Sequence, residues 1–176
     1  MAVIAGGRPK PEFRGLSFLT KWKQDAIEKM LNDDELMKLM YYDTEDWNMK
    51  PSPTMDQREE LINTQIYKYR FIDSGGMKKK SYVSMGVSGM VPLEEYQVFS
   101  NKYLEGYFYF YVLCERGIMN TNAGVRSDLI AERLYHLFEG TEFGTGKIRM
   151  ESFIEFWSDN NTHGGYTIGF NTAEMR

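Results

Sequence analysis

The chain has 176 residues, of which 42% are hydrophobic and 26% charged, ordinary values for one globular domain with a substantial core. Its formal net charge of −4 argues against a general nucleic-acid-binding protein, which needs a positive surface to neutralise phosphates. The single cysteine excludes an internal disulfide, and neither a membrane-spanning apolar run nor a signal peptide is recognisable, so we expect assembly in the cytoplasm.

Residues 1–15 predict a flexible N-terminal arm, because they combine three glycines and two prolines with little periodicity. Residues 16–176 are predicted to form a single domain. The chain is rich in aromatic residues (15%) and has 12 methionines, types that are enriched at protein interfaces and also fill cores. The composition therefore fits either an extensive interface or an aromatic core.

Two helices are predicted in the first quarter of the chain, where apolar side chains recur at helical spacing on both sides of Asn32. Asn32 and Glu35 resemble a capping box, and Asp33 and Asp34 would favour the dipole of the second helix. The prolines of the segment KPSP then exclude a regular element, and residues 55–63 favour one further helical turn.

A β-hairpin is predicted from Ile66 to Val87. Its first strand alternates aromatic with basic side chains, and its second strand alternates Val83, Met85 and Val87 with small residues. The turn between the strands, DSGGMKKK, ends in a tip of three lysines. Residues 88–103 then predict a loop or an irregular edge segment.

The segment GYFYFYVLC, residues 106–114, is apolar on both faces and predicts a central strand that is buried on both sides. The segment VRSDLIAERLYHLFEG predicts a helix, with Gly140 placed where a left-handed residue ends it. Two more strands are predicted in KIRMESFIEFW and YTIGFNT. Helices that cover one face of a mostly antiparallel sheet give the α+β class.

The segment LFEGTEFGTGKIRM has the glycines and the lysine of a phosphate-binding loop. Such a loop has four residues between its first glycine and Gly-Lys-Ser/Thr, and it follows a strand and opens a helix. Here five residues separate Gly140 from Gly146, Ile148 replaces the Ser or Thr, and a predicted helix ends where one should begin. The segment therefore predicts a helix cap followed by a turn.

No pattern of catalytic or metal-binding residues emerges. Cys114 ends an apolar strand and is expected to be a buried, inert thiol, and nothing in the pattern orients His136 or His163 toward it. One cysteine and two distant histidines do not form a zinc pattern. The acidic runs NDDE and DTED lack the spacing and the glycine of a calcium loop. We therefore expect no enzymatic activity, no cofactor and no metal.

Several segments together resemble the neck and tail-completion proteins of tailed bacteriophages of Gram-positive hosts. In chain order, they are LNDDELMKLMYYDTEDWNMKPSPT, YVLCE, GVRSDLIAERLYHLFEG with Arg126 near its start, GTGKIRMESF and GGYTIGF. The resemblance covers residues 20–172. Residues 1–15 and 88–103 have no counterpart in the pattern.

The resemblance implies a tail terminator or head–tail joining protein with a tail-terminator-like α+β fold. Such proteins form a ring, usually a hexamer, that caps the tail tube and meets the connector below the portal. The implied partners are further copies of the chain, the phage tail tube protein and the head connector or stopper proteins. DNA would only pass through the ring lumen. The implied location is the neck of the virion, after assembly in the host cytoplasm.

A ring requires heterologous contacts between unlike faces of one subunit. A basic surface on the predicted hairpin and an acidic surface near the second helix would form a complementary pair, and the arm and the 88–103 segment are further candidate contacts. The predicted contact residues are Lys78, Lys79, Lys80 and Arg70 on the basic side, Asp33, Asp34, Glu35 and Asp43 on the acidic side, and the aromatic residues Tyr96 and Phe99.

Three other functions stay open at the level of the sequence. A head-completion or connector ring protein differs only in the neighbour that it touches. A single-stranded nucleic-acid-binding module would stack bases on Tyr67, Tyr69 and Phe71 beside the lysines, although the acidic net charge opposes it. An enzyme would use Cys114 with a histidine, and its thiol would then react with an alkylating agent in the folded state.

Overall fold

A computed structural model describes residues 17–70, 79–92, 103–143, 146–158 and 161–175. The helices in these ranges are α1 (Ser17–Leu31), α2 (Asp34–Tyr41), α3 (Met55–Glu59) and α4 (Arg126–Phe138), with short 3-10 turns at Trp47–Met49 and Arg116–Ile118. The strands are β1 (Ile66–Tyr67), β2 (Ser81–Pro92), β3 (Tyr103–Glu115), β4 (Asn120–Thr121), β5 (Gly124–Val125), β6 (Glu142–Phe143), β7 (Gly146–Lys147), β8 (Arg149–Trp157) and β9 (His163–Met175).

The main sheet has five strands in the order β1-β2-β3-β9-β8. All neighbouring pairs are antiparallel except β1 and β2, which are parallel. Strands β4 with β5 and β6 with β7 form two small separate ladders. The helices pack on one face of this sheet, so the predicted α+β class, with a mostly antiparallel sheet and helices on one face, is confirmed.

The core lies between the helices and one face of the sheet. Strand β3 contributes Phe108 and Phe110, and Phe110 contacts Phe138 of α4 with 4.6 Å between ring centroids. Each such side chain stabilises the fold by roughly 1.5–3 kcal/mol when it is removed from water. The largest fully buried side chains are Trp22, Arg126, Phe108, Phe110, Phe138, Phe170, Met30, Leu36, Met37, Leu39, Met40 and Ile66.

The break between the first two helices is confirmed, but the predicted capping box of Asn32 and Glu35 is wrong. Asp33 is the capping residue, because its backbone is extended and its carboxylate accepts the N–H of Leu36 at 2.8 Å. Helix α2 therefore begins one residue later than expected, and the carboxylate of Glu35 is free to pair with Arg133. The predicted turn after the prolines is helix α3.

The predicted hairpin from Ile66 to Val87 is wrong, because Ile66 pairs with Val83 in a parallel register and β1 has only two residues. The reason is the buried side chain of Gln65, which donates to the carbonyls of Met40 at 2.6 Å and Ser81 at 3.0 Å. These bonds fasten the start of β1 to the end of α2 and the start of β2. Residues 71–78, the predicted turn, lie outside the described residues.

Strand β3 is the central strand as predicted, but burial on both of its faces is wrong for most of its length. Tyr107, Tyr109 and Tyr111 lie half-buried on the face opposite the helices, while the alternating phenylalanines face the core. The aromatic composition therefore serves two places, with phenylalanine in the core and tyrosine on the open face. On that face Leu113 is buried, in a small cluster with Tyr67.

Of the predicted loop or irregular edge segment at residues 88–103, residues 88–92 belong to β2 with a register shift between Ser88 and Val91, which agrees with an irregular edge segment, and Tyr103 begins β3. Residues 93–102 lie outside the described part of the chain, as does the predicted arm of residues 1–15.

In the segment LFEGTEFGTGKIRM the helix ends just before Gly140, as predicted, while Gly144 and Thr145 of the predicted turn lie outside the described residues. Gly140 has a φ of +67°, which only a residue without a Cβ adopts readily, and its N–H donates to the carbonyl of Ile148 at 2.9 Å. The N–H of Ile148 returns a bond to the carbonyl of Thr141 at 3.1 Å. Helix α4 and the two predicted strands, which are β8 and β9, are likewise confirmed, and these strands pair antiparallel.

Candidate functional site

Arg126, at the start of α4, is a fully buried side chain with hydrogen bonds to four carbonyls. Its Nε donates to Ile118 at 2.9 Å, its Nη1 to Leu39 at 2.8 Å and Tyr42 at 2.6 Å, and its Nη2 to Thr44 at 2.7 Å. Burial lowers the pKa of Arg126, but a guanidinium stays protonated in a protein. The arginine thus has a structural role, because it closes the C-terminal end of α2.

Cys114 is not placed for nucleophilic catalysis. Burial raises the pKa of its thiol to about 12, and the thiol contacts the Ser81 hydroxyl at 3.5 Å. His163 pairs with Glu115 in the sheet, so its side chain projects from the opposite face to that of Cys114. His136 is exposed and contacts Glu132 at 3.6 Å. Across the described ranges no group of three metal-ligating side chains occurs.

The four predicted acidic contact residues all pair with cations of the same chain. Asp33 and Glu35 both bind Arg133, with 3.0 Å between Glu35 Oε2 and Arg133 Nη1. The hydrogen bonds that Arg133 donates to Asp33 raise the pKa of Arg133. Asp34 pairs with the buried Arg58, whose hydrogen bond lowers the pKa of Asp34. These carboxylates therefore help to hold α2, α3 and α4 together.

The fourth acid, Asp43, lies 2.6 Å from the ammonium of Lys80, so part of the predicted acidic–basic pairing occurs within one subunit. Lys79 is exposed, and the exposed guanidinium of Arg70 lies 5.1 Å from the ring centre of Tyr111. Lys78, Tyr96 and Phe99 lie outside the described residues. The role of all these residues as subunit contacts stays a prediction.

The three aromatic residues of the proposed base-stacking platform do not form one exposed surface. Tyr67 is only 9% exposed and packs in the cluster with Tyr82 and Leu113, whereas Tyr69 is 54% exposed. Phe71 lies outside the described residues. The alternation of Tyr67 and Tyr69 therefore does not place both rings where successive bases could stack on them.

A surface that the sequence interpretation missed lies on edge strand β8 and the adjoining part of α4, and we call it the β8 patch. Its large apolar side chains are 36–59% exposed and comprise Tyr135, Met150, Phe153, Ile154 and Trp157. Phe153 stacks on Tyr166 with 4.5 Å between ring centroids, and a groove of about 390 Å³ lies between β8 and α4. The signal in the sequence was FIEFW, where apolar residues occupy both faces of one strand.

The groove has little chemistry of its own. The Tyr166 hydroxyl donates to Asp128 at 2.9 Å, and burial, together with that bond, raises the pKa of Tyr166 to about 12. The remaining lining is mostly apolar, with Ala131, Tyr135, Met150 and Phe153. Such a groove fits an apolar side chain better than a reacting group. In the described part of the chain, no helix is both long and apolar enough to cross a membrane.

A protein-family model named YomW matches residues 33–172, from the cap of α2 to near the end of β9. The chain belongs to the YomW family. The name YomW suggests a phage-derived protein. The YomW match contains α2, α4, the β8 patch and all five strands of the main sheet except the last residues of β9. No curated protein matches the chain.

Proposed function

We propose that this YomW protein is a structural protein of a tailed-phage virion, a tail terminator or neck component. It forms a ring that caps the tail tube and joins it to the head connector, with DNA passing through the lumen. The β8 patch carries this proposal, because exposed apolar side chains on both faces of an edge strand, with an apolar groove beside it, are typical of a surface that another protein covers.

The virion setting is supported by two observations on the same stretch of sequence. The family name suggests a phage-derived protein, and the segments that resemble neck proteins occur in the expected order along the chain. In this proposal the protein works by assembly, without enzymatic chemistry or a cofactor. The inaccessible thiol of Cys114 and its separation from His163 support that part of the proposal.

The experiment that tests the proposal is assembly of the purified full-length chain, followed by negative-stain electron microscopy and mass photometry. We expect closed rings that bind the purified phage tail tube protein. Rings that bind only the head connector would indicate the head-completion function instead. A chain that stays monomeric, alone and with both neighbours, would contradict the proposal.

The electrostatic part of the proposal needs its own variant. Reversal of Lys78, Lys79 and Lys80 to glutamate should abolish ring formation if the lysine tip contacts the next subunit. Because Lys80 pairs with Asp43 inside the subunit, the variant that reverses only Lys78 and Lys79 is the matched control. Normal rings in both variants would show that the lysines are not part of the interface, while the proposed ring would still stand.

A further inference from the structure

Strand β8 lies at one edge of the main sheet, and most of the outer side of β2 lies at the other. We infer that β8 of one subunit pairs antiparallel with β2 of the next copy, so that the sheet continues from subunit to subunit. This inference rests on the proposed ring and names the two surfaces that form it. Each copy then uses one edge to bind the copy before it and the other to bind the copy after it.

The hydrogen-bonding groups of β8 alternate between β9 and the outside. The N–H of Ser158 donates to the carbonyl of His163 in the next strand at 2.8 Å. Because backbone groups alternate sides along a strand, Phe153, Glu155 and Trp157 direct their N–H and C=O groups away from β9. No described strand lies on that side. Nearer the start of β8, the N–H of Met150 already donates to the Glu139 carboxylate at 2.7 Å.

The same alternation shows which groups of β2 are open. The N–H of Val83 points away from β3, because it donates to the carbonyl of Gln65 at 2.8 Å. Met85 and Val87 therefore also point their backbone groups outward. The pairing with β1 ends at Ser84, so no described strand covers these two residues.

Strand directions and faces agree with this pairing. Strands β2 and β9 are both antiparallel to β3, and β8 is antiparallel to β9, so β8 and β2 run in opposite directions. Copies arranged side by side in the same orientation thus present an antiparallel pair of edges. In both strands, the residues whose backbone N–H and C=O groups point outward have their side chains on the helix-covered face of the sheet. Pairing these residues would therefore place the helices of both copies on the same side of the continued sheet.

Charge distinguishes β2 from a second β8 as the partner. A symmetric pair of β8 strands with full overlap is centred on Phe153 and places Glu151 opposite Glu155 twice, and like charges in direct opposition are destabilising. Strand β2, SYVSMGVSGMVP, has no charged residue at all. On the open face of the sheet, Val91 of β2 is 56% exposed and Ile154 of β8 is 59% exposed, so both edges have an exposed apolar side chain there. The charged residues of β8, Arg149, Glu151 and Glu155, would meet no charged residue on β2.

Proline substitution tests the two edges separately. A proline at Glu155 or Val87 removes an N–H that points away from the neighbouring strand, on a side where no described strand pairs with it. An edge strand tolerates this change, and the proline blocks pairing with another copy. The matched controls are Glu155→Ala and Val87→Ala, which change the same side chains and keep the N–H. Circular dichroism and urea midpoints would show that all four full-length variants are folded, and mass photometry would report their assembly.

We expect Glu155→Pro and Val87→Pro to be folded monomers, while the alanine variants form rings like the wild type. An equimolar mixture of the two proline variants should form a heterodimer and nothing larger, because each supplies the one edge that the other lacks. Rings formed by Glu155→Pro would overturn the inference and leave the proposed function standing. Dimers of Val87→Pro alone would show pairing between two β8 strands, and a mixture that stays monomeric would also overturn the inference.

The oligomeric state of the wild type distinguishes a failure of the edge pairing from a failure of the proposed ring. Open filaments that both proline variants abolish would support the edge pairing and contradict the closed ring of the proposed function. A wild-type chain that stays monomeric would overturn both.

Discussion

Substitution of Arg126 by methionine should destabilise the fold more than almost any other single change of a polar residue. Methionine fills much of the same volume but donates no hydrogen bond. It leaves the carbonyls of Ile118, Leu39, Tyr42 and Thr44 without the donor that binds them at 2.6–2.9 Å. We expect water to reach these carbonyls, and then only in part, if the end of α2 moves away from α4.

Two opposing contributions set the size of the effect. Hydrogen bonds to a charged group contribute about 1.5–3 kcal/mol each, so the four bonds of Arg126 represent roughly 6–12 kcal/mol. Keeping a cation away from water costs several kcal/mol, and methionine removes that cost. The net loss should be about 4 kcal/mol, a large part of the ~5–15 kcal/mol by which domains are stable.

Urea unfolding followed by tryptophan fluorescence measures this loss, because Trp22 is 1% exposed in the core. With a slope of about 2 kcal/mol per molar urea, the midpoint of Arg126→Met should fall by about 2 M. The midpoint of Arg126→Lys should also fall, because an ammonium cannot span the same carbonyls as a guanidinium fork. It should fall by less than that of Arg126→Met, because lysine still donates hydrogen bonds. The exposed Arg116→Met is the control and should change stability by less than about 0.5 kcal/mol. Equal midpoints for the two methionine variants would refute the reasoning.

Three further predictions follow from single contacts. Burial raises the pKa of Cys114 from 9.0 to about 12, so between these pH values only the unfolded chain releases the thiol proton. The free energy of unfolding should therefore fall as the pH rises from 9 to 12. The urea midpoint of Cys114→Ala should fall less than that of the wild type over the same range. Asp33→Asn keeps the helix cap and Asp33→Ala removes it. In thermal melts, Asp33→Ala should therefore be about 1 kcal/mol less stable than Asp33→Asn. Identical melting curves for the two variants would argue against the cap. A Cβ at Gly165 would collide with the Val112 carbonyl oxygen, so calorimetry should show that Gly165→Ala lowers the free energy of unfolding by about 1–3 kcal/mol. The control Gly146→Ala, where a Cβ meets open space, should lower it far less. An unchanged melting temperature for Gly165→Ala would contradict the close contact.

The parts of the fold that were predictable from sequence depend on local signals. The apolar periodicity of α4 and the glycine at position 140 both act within a few residues, and both predictions are confirmed. The parallel placement of β1 depends instead on Gln65, which bonds to residues 25 and 16 positions away. Alternation along residues 64–72 contains no information about that anchor.

The face that strand β3 leaves open has a signal in the sequence. In GYFYFYVLC the hydroxyl-bearing rings alternate with phenylalanines, and in the structure Tyr107, Tyr109 and Tyr111 share the open face. An amphipathic ring at every second position indicates a half-exposed face, because a tyrosine hydroxyl needs a partner or water. Apolarity alone does not distinguish the two kinds of aromatic residue.

The candidate contact residues show a different limit. The acidic run at the start of α2 looked like a free negative surface, but Asp34 pairs with Arg58, 24 positions away, and Asp33 with Arg133, 100 positions away. A sequence reports the sign of each charge but not which partner neutralises it. The β8 patch needed the sheet order as well, since FIEFW marks an interface only on a strand that lies at an edge.

The bond from Arg126 to Leu39 spans 87 positions, and it has a consequence for the chain as it is synthesised. Helices α1 and α2 leave the ribosome long before α4, which carries both Arg126 and Arg133. At about 5–20 residues per second, the hundred positions between Asp33 and Arg133 take roughly 5–20 s to translate. Until β3 has been translated, Trp22 lacks Phe108, a ring that it contacts in the folded protein, so chaperone-assisted expression should increase the yield of folded protein.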